Sequence, residues 1–410
     1  MEKLLCGAAK GDITPADKLF PMPLLGPLKI NKINDRIYAR VIAFRYGDKK
    51  SLLIALEMTL VPHADDLLAF LSAEFGVERK NILICATHTH EATPIGLTHI
   101  YPPDPEDTAK CDEWYGSVKQ TLRSVVENAL SVLRPCRIGY GEGKSYINCN
   151  RDEIKTDRAE LGFNFERPSD KTLKLIRIED ENDRIIAFLV NYACHAVVMN
   201  GCIVGGGIGL SGDLPGRTSS QIENMYPGSV CLWTSGAAGD QNPRMTTNFG
   251  MKNVDGKLVY QNLGDTGYMV LDMLAHEHVR DILKTNKKIV CGYVEGDMCC
   301  RQTTCKCPKR DGDGEIGYVL SVLSIGNLAF EGIDGEVATS IGESVVRVSP
   351  YENTILVTHA NGYKGYIPDD WQIAHNSFEA EGAVVKKGCI EALFVKSFQE
   401  LFRLSDKEKK

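Results

Sequence analysis

NILICATHTHEATPIG, residues 81–96, is the stretch that decides how this chain is read. Its apolar run, 81–85, is short and bounded by polar residues, which fits a buried strand better than a helix. His88 and His90 therefore leave the end of that strand. Positions two apart in an extended chain point the same way, so both imidazoles can reach one point. Neutral imidazole is the commonest protein metal ligand. The pair is equally compatible with a hydrogen-bonded turn, so the rest of the chain has to separate the two readings.

Seven strand-like runs recur, at 41–44, 52–56, 82–85, 185–190, 230–234, 319–323 and 354–357. Between them, apolar residues fall at helical spacing over 64–75, 114–133, 267–283, 336–348 and 383–402. Strands alternating with helices predict an α/β protein with a large mixed β-sheet core flanked by helices. The Gly-rich stretch GGGIGLSGDLPGR, 205–217, lacks both the dinucleotide fingerprint and the GK[ST] ending of a P-loop. It reads as a loop that lets backbone approach a site closely, followed by a helix from about Arg217.

Composition narrows the function classes. The chain has 410 residues, 43% hydrophobic and 25% charged, with a net charge of −7. No basic run suggests a groove tracking phosphates, so nucleic acid is not an expected partner. No apolar stretch is long enough to span a bilayer, and the first residues, MEKLLCGAAKGDITP, lack a signal-peptide core. A cytoplasmic location is the default expectation. The fourteen cysteines then read as mostly reduced thiols. Cys299, Cys300, Cys305 and Cys307 cluster in MCCRQTTCKCPKR, but not at the paired CxxC spacing of structural zinc. Surface thiols or a local disulfide are the expectation there.

Three further segments place polar residues straight after apolar strands, where open α/β sheets build their sites. AFLVNYACHAVVMNG carries His195, CLWTSGAAGDQNPR carries Asp240 and Asn242, and LAFEGIDGEVATSIG carries Glu336 opening a helix. Each has a plain alternative: a satisfied core histidine, a small-residue loop, and a first-turn acid favoured by the helix dipole. Taken together they supply two histidines and a carboxylate from separate strand ends. That is the ligand pattern of a catalytic zinc with an open position.

At this point the residues carry a resemblance. GAAKGDITP, THTH, INCNR (147–151), NYACHAVVM, SGD (211–213), AAGDQNP, GEVAT and GYKGYIPDDWQIAHNSFEAEG follow one another in an order that resembles the catalytic domain of the neutral, non-lysosomal ceramidases. These are zinc amidases of N-acyl sphingolipids. The resemblance implies one metallohydrolase domain over 1–405, without the C-terminal immunoglobulin-like domain of secreted members. It implies Zn2+ as cofactor, held by His88, His195, Glu336 and Tyr366. It places His90 beside the metal, Arg151 on the substrate's carbonyl or developing oxyanion, and Asp240 and Asp213 behind the ligands, with His90 or Asp240 carrying the proton to the leaving amine. Asn242 and Phe378 stand where the family has serine and tyrosine, and EATPIG replaces its GPGG.

Asn242 cannot supply a hydroxyl proton and Phe378 has no polar handle. These changes spare the metal and alter the substrate's surroundings. The expectation is a zinc-dependent hydrolase of linear amide C–N bonds other than peptide bonds, acting on a small-molecule or lipid-like substrate other than ceramide. Two other readings use the same residues: a dinuclear-metal phosphoesterase or esterase, and a metal-bearing relative that binds without turnover.

Overall fold

The computed structural model describes residues 2–97, 104–155, 157–252, 254 and 257–407. A mixed sheet of eight strands forms its centre, in the spatial order Val230–Ser235, Ile185–Tyr192, Thr172–Asp180, Arg134–Lys144, Leu5–Asp12, Tyr38–Tyr46, Lys49–Leu56, Ile82–Ala86. The outermost pair at each end is parallel and the inner pairings are antiparallel. A second sheet of four strands runs Met298–Pro308, Glu315–Ile325, Leu328–Ile333, Asn353–Val357, its last pair parallel.

Alternation of side chains explains how the layers stack. Ile42, Phe44, Leu53, Ala55, Leu83 and Cys85 join Leu323, Phe330, Ile355 and Val357 in a core between the two sheets. Their neighbours Val41, Ala43, Ile54, Ile82 and Ile84 point the other way, under helices Ala64–Phe75 and Pro105–Ser131. With both faces covered, these strands read as unbroken apolar runs. Helices Asp213–Met225 and Gly267–Asn286 cover the other half of the same outer face through Leu214, Ile222, Leu271 and Leu274. Helix Ile390–Lys407 closes the outside of the second sheet with Phe394 and Phe398. The order is thus helices, sheet, sheet, helices, with a second sheet where the sequence suggested a single one.

All seven expected strands are present, and helix Ala64–Phe75 has the expected bounds. Four expectations are corrected. The Gly-rich stretch is not all loop, because Gly207–Leu210 is a strand and the following helix starts at Asp213, where Pro215 suits a first turn. Glu336 does not open a helix but sits in the short strand Glu336–Val337. The helix begins at Thr339, whose backbone N–H donates to Asp240 Oδ1 at 2.9 Å. The last helix starts at Ile390 rather than 383, after Gly388 at φ 77°. The four cysteines lie along the strand Met298–Pro308. Cys299 and Cys305 are then about 20 Å apart at the usual rise, too far to share an ion. Cys307 is bonded to Cys389, 82 residues away, so that disulfide is long-range rather than local. Among the described residues no helix is long and apolar enough to cross a membrane.

Candidate metal centre at the strand ends

Strands that each have one parallel neighbour deliver the site. Ile82–Ala86, Ile185–Tyr192, Leu328–Ile333 and Asn353–Val357 all end toward one region, and the loops that follow carry His88, His195, Glu336 and His359. Backbone bonds stitch those loops together. His90 N–H donates to Ala196 O at 3.1 Å, His195 N–H to Gln241 O at 2.9 Å, and Glu336 N–H to Gly365 O at 2.9 Å. His88 turns out of its strand in the left-handed region at φ 63°. That conformation is uncommon for a residue other than glycine.

Two ring nitrogens are fixed from behind. His88 Nδ1 lies 2.6 Å from Thr59 O, and His195 Nδ1 lies 2.6 Å from Ala238 O. A carbonyl only accepts, so both rings carry their proton on Nδ1 and present an Nε2 lone pair forward. His195 Nε2 is 2.9 Å and His88 Nε2 3.3 Å from Glu336 Oε2, and His90 Nε2 is 3.2 Å from His88 Nε2. Ligands about 2.0–2.1 Å from a tetrahedral zinc are about 3.3 Å from one another. The His195–Glu336 and His88–Glu336 spacings are close to that edge.

Burial supports the same use. His88, His195 and Glu336 are each under 5% exposed. Burial pushes the His195 imidazole down to about 4, helped by the Arg151 charge, and pushes His90 well below its usual value. Burial would raise the Glu336 carboxyl, but His88 and His195 outweigh it and hold Glu336 well below the ordinary carboxylate range. Neutral His90 and His195 beside an ionised Glu336 are protonation states that suit a divalent cation. Imidazole with carboxylate oxygen suits zinc among the common metals.

This architecture has known counterparts. The structure of neutral ceramidase from Pseudomonas aeruginosa superposes with a TM-score of 0.77, covering 98% of this chain and 74% of that one at 15% identity. A ceramidase complexed with C2 superposes at 0.76, covering 99% of this chain and 76% of that one at 14% identity. The chain has the neutral ceramidase fold. No protein-family profile and no curated protein matches its sequence.

Within this ceramidase fold, Arg151 is a hub beside the donor set. It is 3% exposed. Its Nε donates to Glu379 Oε1 at 2.7 Å and its Nη1 to Asn242 Oδ1 at 3.3 Å, while Nη2 is buried with no partner. Tyr366 and Phe378 bracket the guanidinium at 5.4 and 5.9 Å from their ring centres. The two departures from the ceramidase pattern, Asn242 and Phe378, thus both touch the same cation. Tyr366 also pairs its strand with that of Glu336, and its phenol is raised by burial.

Asp240 is committed to structure. Its Oδ1 accepts from Thr339 N and Oγ1, and its Oδ2 accepts from Asn150 Nδ2 at 3.0 Å. Asp213 sits behind the His195 loop, accepting from Val198 N and Met199 N, and burial pushes its carboxyl up to about 6. Two residues at the centre escaped the sequence reading. Tyr363 donates its hydroxyl to Glu336 Oε1 at 2.6 Å, and His359 stacks on His88 with ring centres 4.0 Å apart. Both follow the apolar run 354–357, so the strand-end logic that selected His195 applies to them too.

One close approach holds Glu336 in place. Gly239 N–H donates to Val337 O at 2.8 Å, and a Cβ on Gly239 would lie 2.8 Å from Val337 C and O and 2.9 Å from Glu336 O. Gly239→Ala is expected to push the Glu336 strand away, at a cost of about 1–3 kcal/mol in stability. Affinity of the donor set for a divalent cation should fall by roughly 10–100-fold, as for a lost orienting contact. Chemical denaturation and zinc titration of the variant check this.

Proposed function

We propose that the chain is a zinc-dependent hydrolase of linear N-acyl amides, related in activity to the ceramidases but with a substrate other than ceramide. The observation that carries this reading is the His88, His195 and Glu336 donor set, buried and with both imidazole Nε2 atoms 2.9–3.3 Å from Glu336 Oε2, close to the ligand–ligand spacing of a tetrahedral zinc. In this reading those three side chains and Tyr366 hold the ion. When bound, zinc lowers the pKa of a coordinated water to about 7 and polarises a carbonyl.

The chain's own residues supply the rest. The free Nη2 of Arg151 is available to the substrate's carbonyl oxygen and to the oxyanion that develops on it, a charge-assisted bond that strengthens along the reaction. Glu379 and Asn242 fix the guanidinium while it does so. His90, neutral and with Nε2 3.2 Å from that of His88, is placed to take a proton from the attacking water and pass it to the leaving nitrogen. His90 is the carrier rather than Asp240, because both oxygens of Asp240 are already engaged. Asn242 and Phe378 offer no hydroxyl where the ceramidases have one, which supports a different acyl or amine part. Twelve unpaired cysteines beside one bonded pair support a cytoplasmic setting.

The test is amine release from a panel of linear N-acyl amides that includes ceramide. Turnover that a chelator abolishes and zinc restores, with ceramide uncleaved, is expected. Chelator-insensitive turnover would overturn the metal mechanism. Tight zinc binding with no turnover of any amide would favour a binding protein, and cleavage of phosphate esters alone would favour the phosphoesterase reading.

A further inference from the structure

His359 belongs to neither the resemblance nor the mechanism above, yet it lies at the centre. It is 1% exposed, and its Nδ1 has no hydrogen-bond partner. One of its ring nitrogens lies within 4.8 Å of the donor atoms of His88 and Glu336, giving a second buried set, His88–Glu336–His359, beside His88–His90–His195. Its ring is stacked on His88, 4.0 Å between centres and 18° between planes.

The backbone holds it there against its own preference. His359 sits at φ 53°, in the left-handed region, where a bulky side chain is rarely found. Its N–H donates to Gly335 O at 3.3 Å, next to Glu336, and its carbonyl accepts from Ala86 N at 3.3 Å, at the end of the strand leading to His88. The residue is thus clamped between the two segments whose donors it faces. His278 gives the comparison. It too is buried with one unpaired nitrogen, Nε2, but its Nδ1 bonds Ser145 Oγ at 2.9 Å, its ring neighbours are Tyr192 and Trp233, and among the described residues it joins no donor set. What sets His359 apart is therefore the donor set its ring joins rather than the unpaired nitrogen alone.

We propose that His359 is a further metal-binding residue of this centre, a nitrogen donor to a divalent transition cation added to the His-His-Glu set. The inference rests on the metal-site reading given above. His88 offers one nitrogen only, since its Nδ1 is held by Thr59 O. His359 therefore either raises the coordination of a single ion or binds a second ion bridged by Glu336, and in both arrangements its nitrogen contacts metal.

The test is zinc titration of metal-free wild type and His359→Asn by calorimetry, with zinc per chain counted by elemental analysis. Asparagine tolerates the left-handed backbone, and circular dichroism checks that the variant is folded. A loss of roughly tenfold or more in affinity, or a drop from two ions to one, is expected. Equal affinity and stoichiometry in the two proteins would overturn the inference while leaving the principal site standing. Wild type that binds no zinc would overturn both. If the variant does not fold, anomalous diffraction from zinc-loaded wild-type crystals decides the matter: a peak at about 2.0–2.1 Å from a His359 nitrogen is expected, and a peak reached only by the other ligands would contradict it.

Discussion

His195→Ala is expected to lose bound zinc and amide hydrolysis together while keeping its fold. His195 reaches the centre from the loop after Ile185–Tyr192, with Nδ1 held by Ala238 O and Nε2 2.9 Å from Glu336 Oε2. On the proposed reading, truncation removes a ligand and leaves Glu336 facing an emptied position. The backbone bond from His195 N–H to Gln241 O is untouched by the substitution, so the loop keeps its anchor. The activity loss should be roughly 10³-fold or more, beyond the about 10²–10³-fold for a single oxyanion donor, because the metal's contribution goes as a whole. Zinc content, turnover and circular dichroism on one preparation check this. Full zinc occupancy with full activity would remove His195 from the site.

The second large effect concerns Arg151. Arg151→Ala strands Glu379, which is 1% exposed. Burial would raise that carboxyl, and Arg151 is what holds it below the usual carboxylate range. Asp152 cannot compensate, since burial and Glu379 already push it up to about 8. Breaking a buried pair by removing one partner costs about 3–5 kcal/mol, and loss of an oxyanion donor costs about 10²–10³-fold in turnover. A double substitution separates the two effects. Arg151→Met with Glu379→Gln removes both charges, so it should recover most of the stability and none of the activity. Denaturation midpoints and kcat/KM for the single and double variants are the measurements. Recovery of activity in the double variant would make Arg151 purely structural.

The parts of the fold legible in the sequence were those with two covered faces. Runs such as 52–56 and 82–85 stay apolar throughout because Leu53 and Leu83 face one core while Ile54 and Ile84 face the other. Strands with other constraints were silent. Arg134–Lys144 carries Gly139, Gly141 and Gly143 and so shows no apolar run. In the structure a Cβ at those positions would lie 2.3 Å from Ile289 Cγ2, 2.7 Å from Ile289 Cγ1 and 2.0 Å from Thr285 Oγ1. The glycines admit the end of helix Gly267–Asn286 and Ile289 just past it, a demand set by tertiary packing rather than local preference. Met298–Pro308 mixes exposed polar residues with cysteines, so its place in a second sheet left no apolar pattern.

The site followed the same division. His88, His195 and Glu336 were readable because each stands just past an apolar strand, and the structure brings all three together with His90. Tyr363 and His359 stand past such a strand as well, yet nothing local marks a stacked histidine with an unpaired nitrogen. The engagement of Asp240 with Thr339 and Asn150 needs partners 99 and 90 residues away, and no local pattern encodes that.

The central claim is that the strand-end histidines and Glu336 hold zinc. The most direct measurement is elemental analysis of metal per chain in freshly purified wild type and in His88→Ala. The account predicts zinc in the wild type that is lost with His88. Zinc that survives the substitution, or wild type that carries none after incubation with the ion, would contradict it.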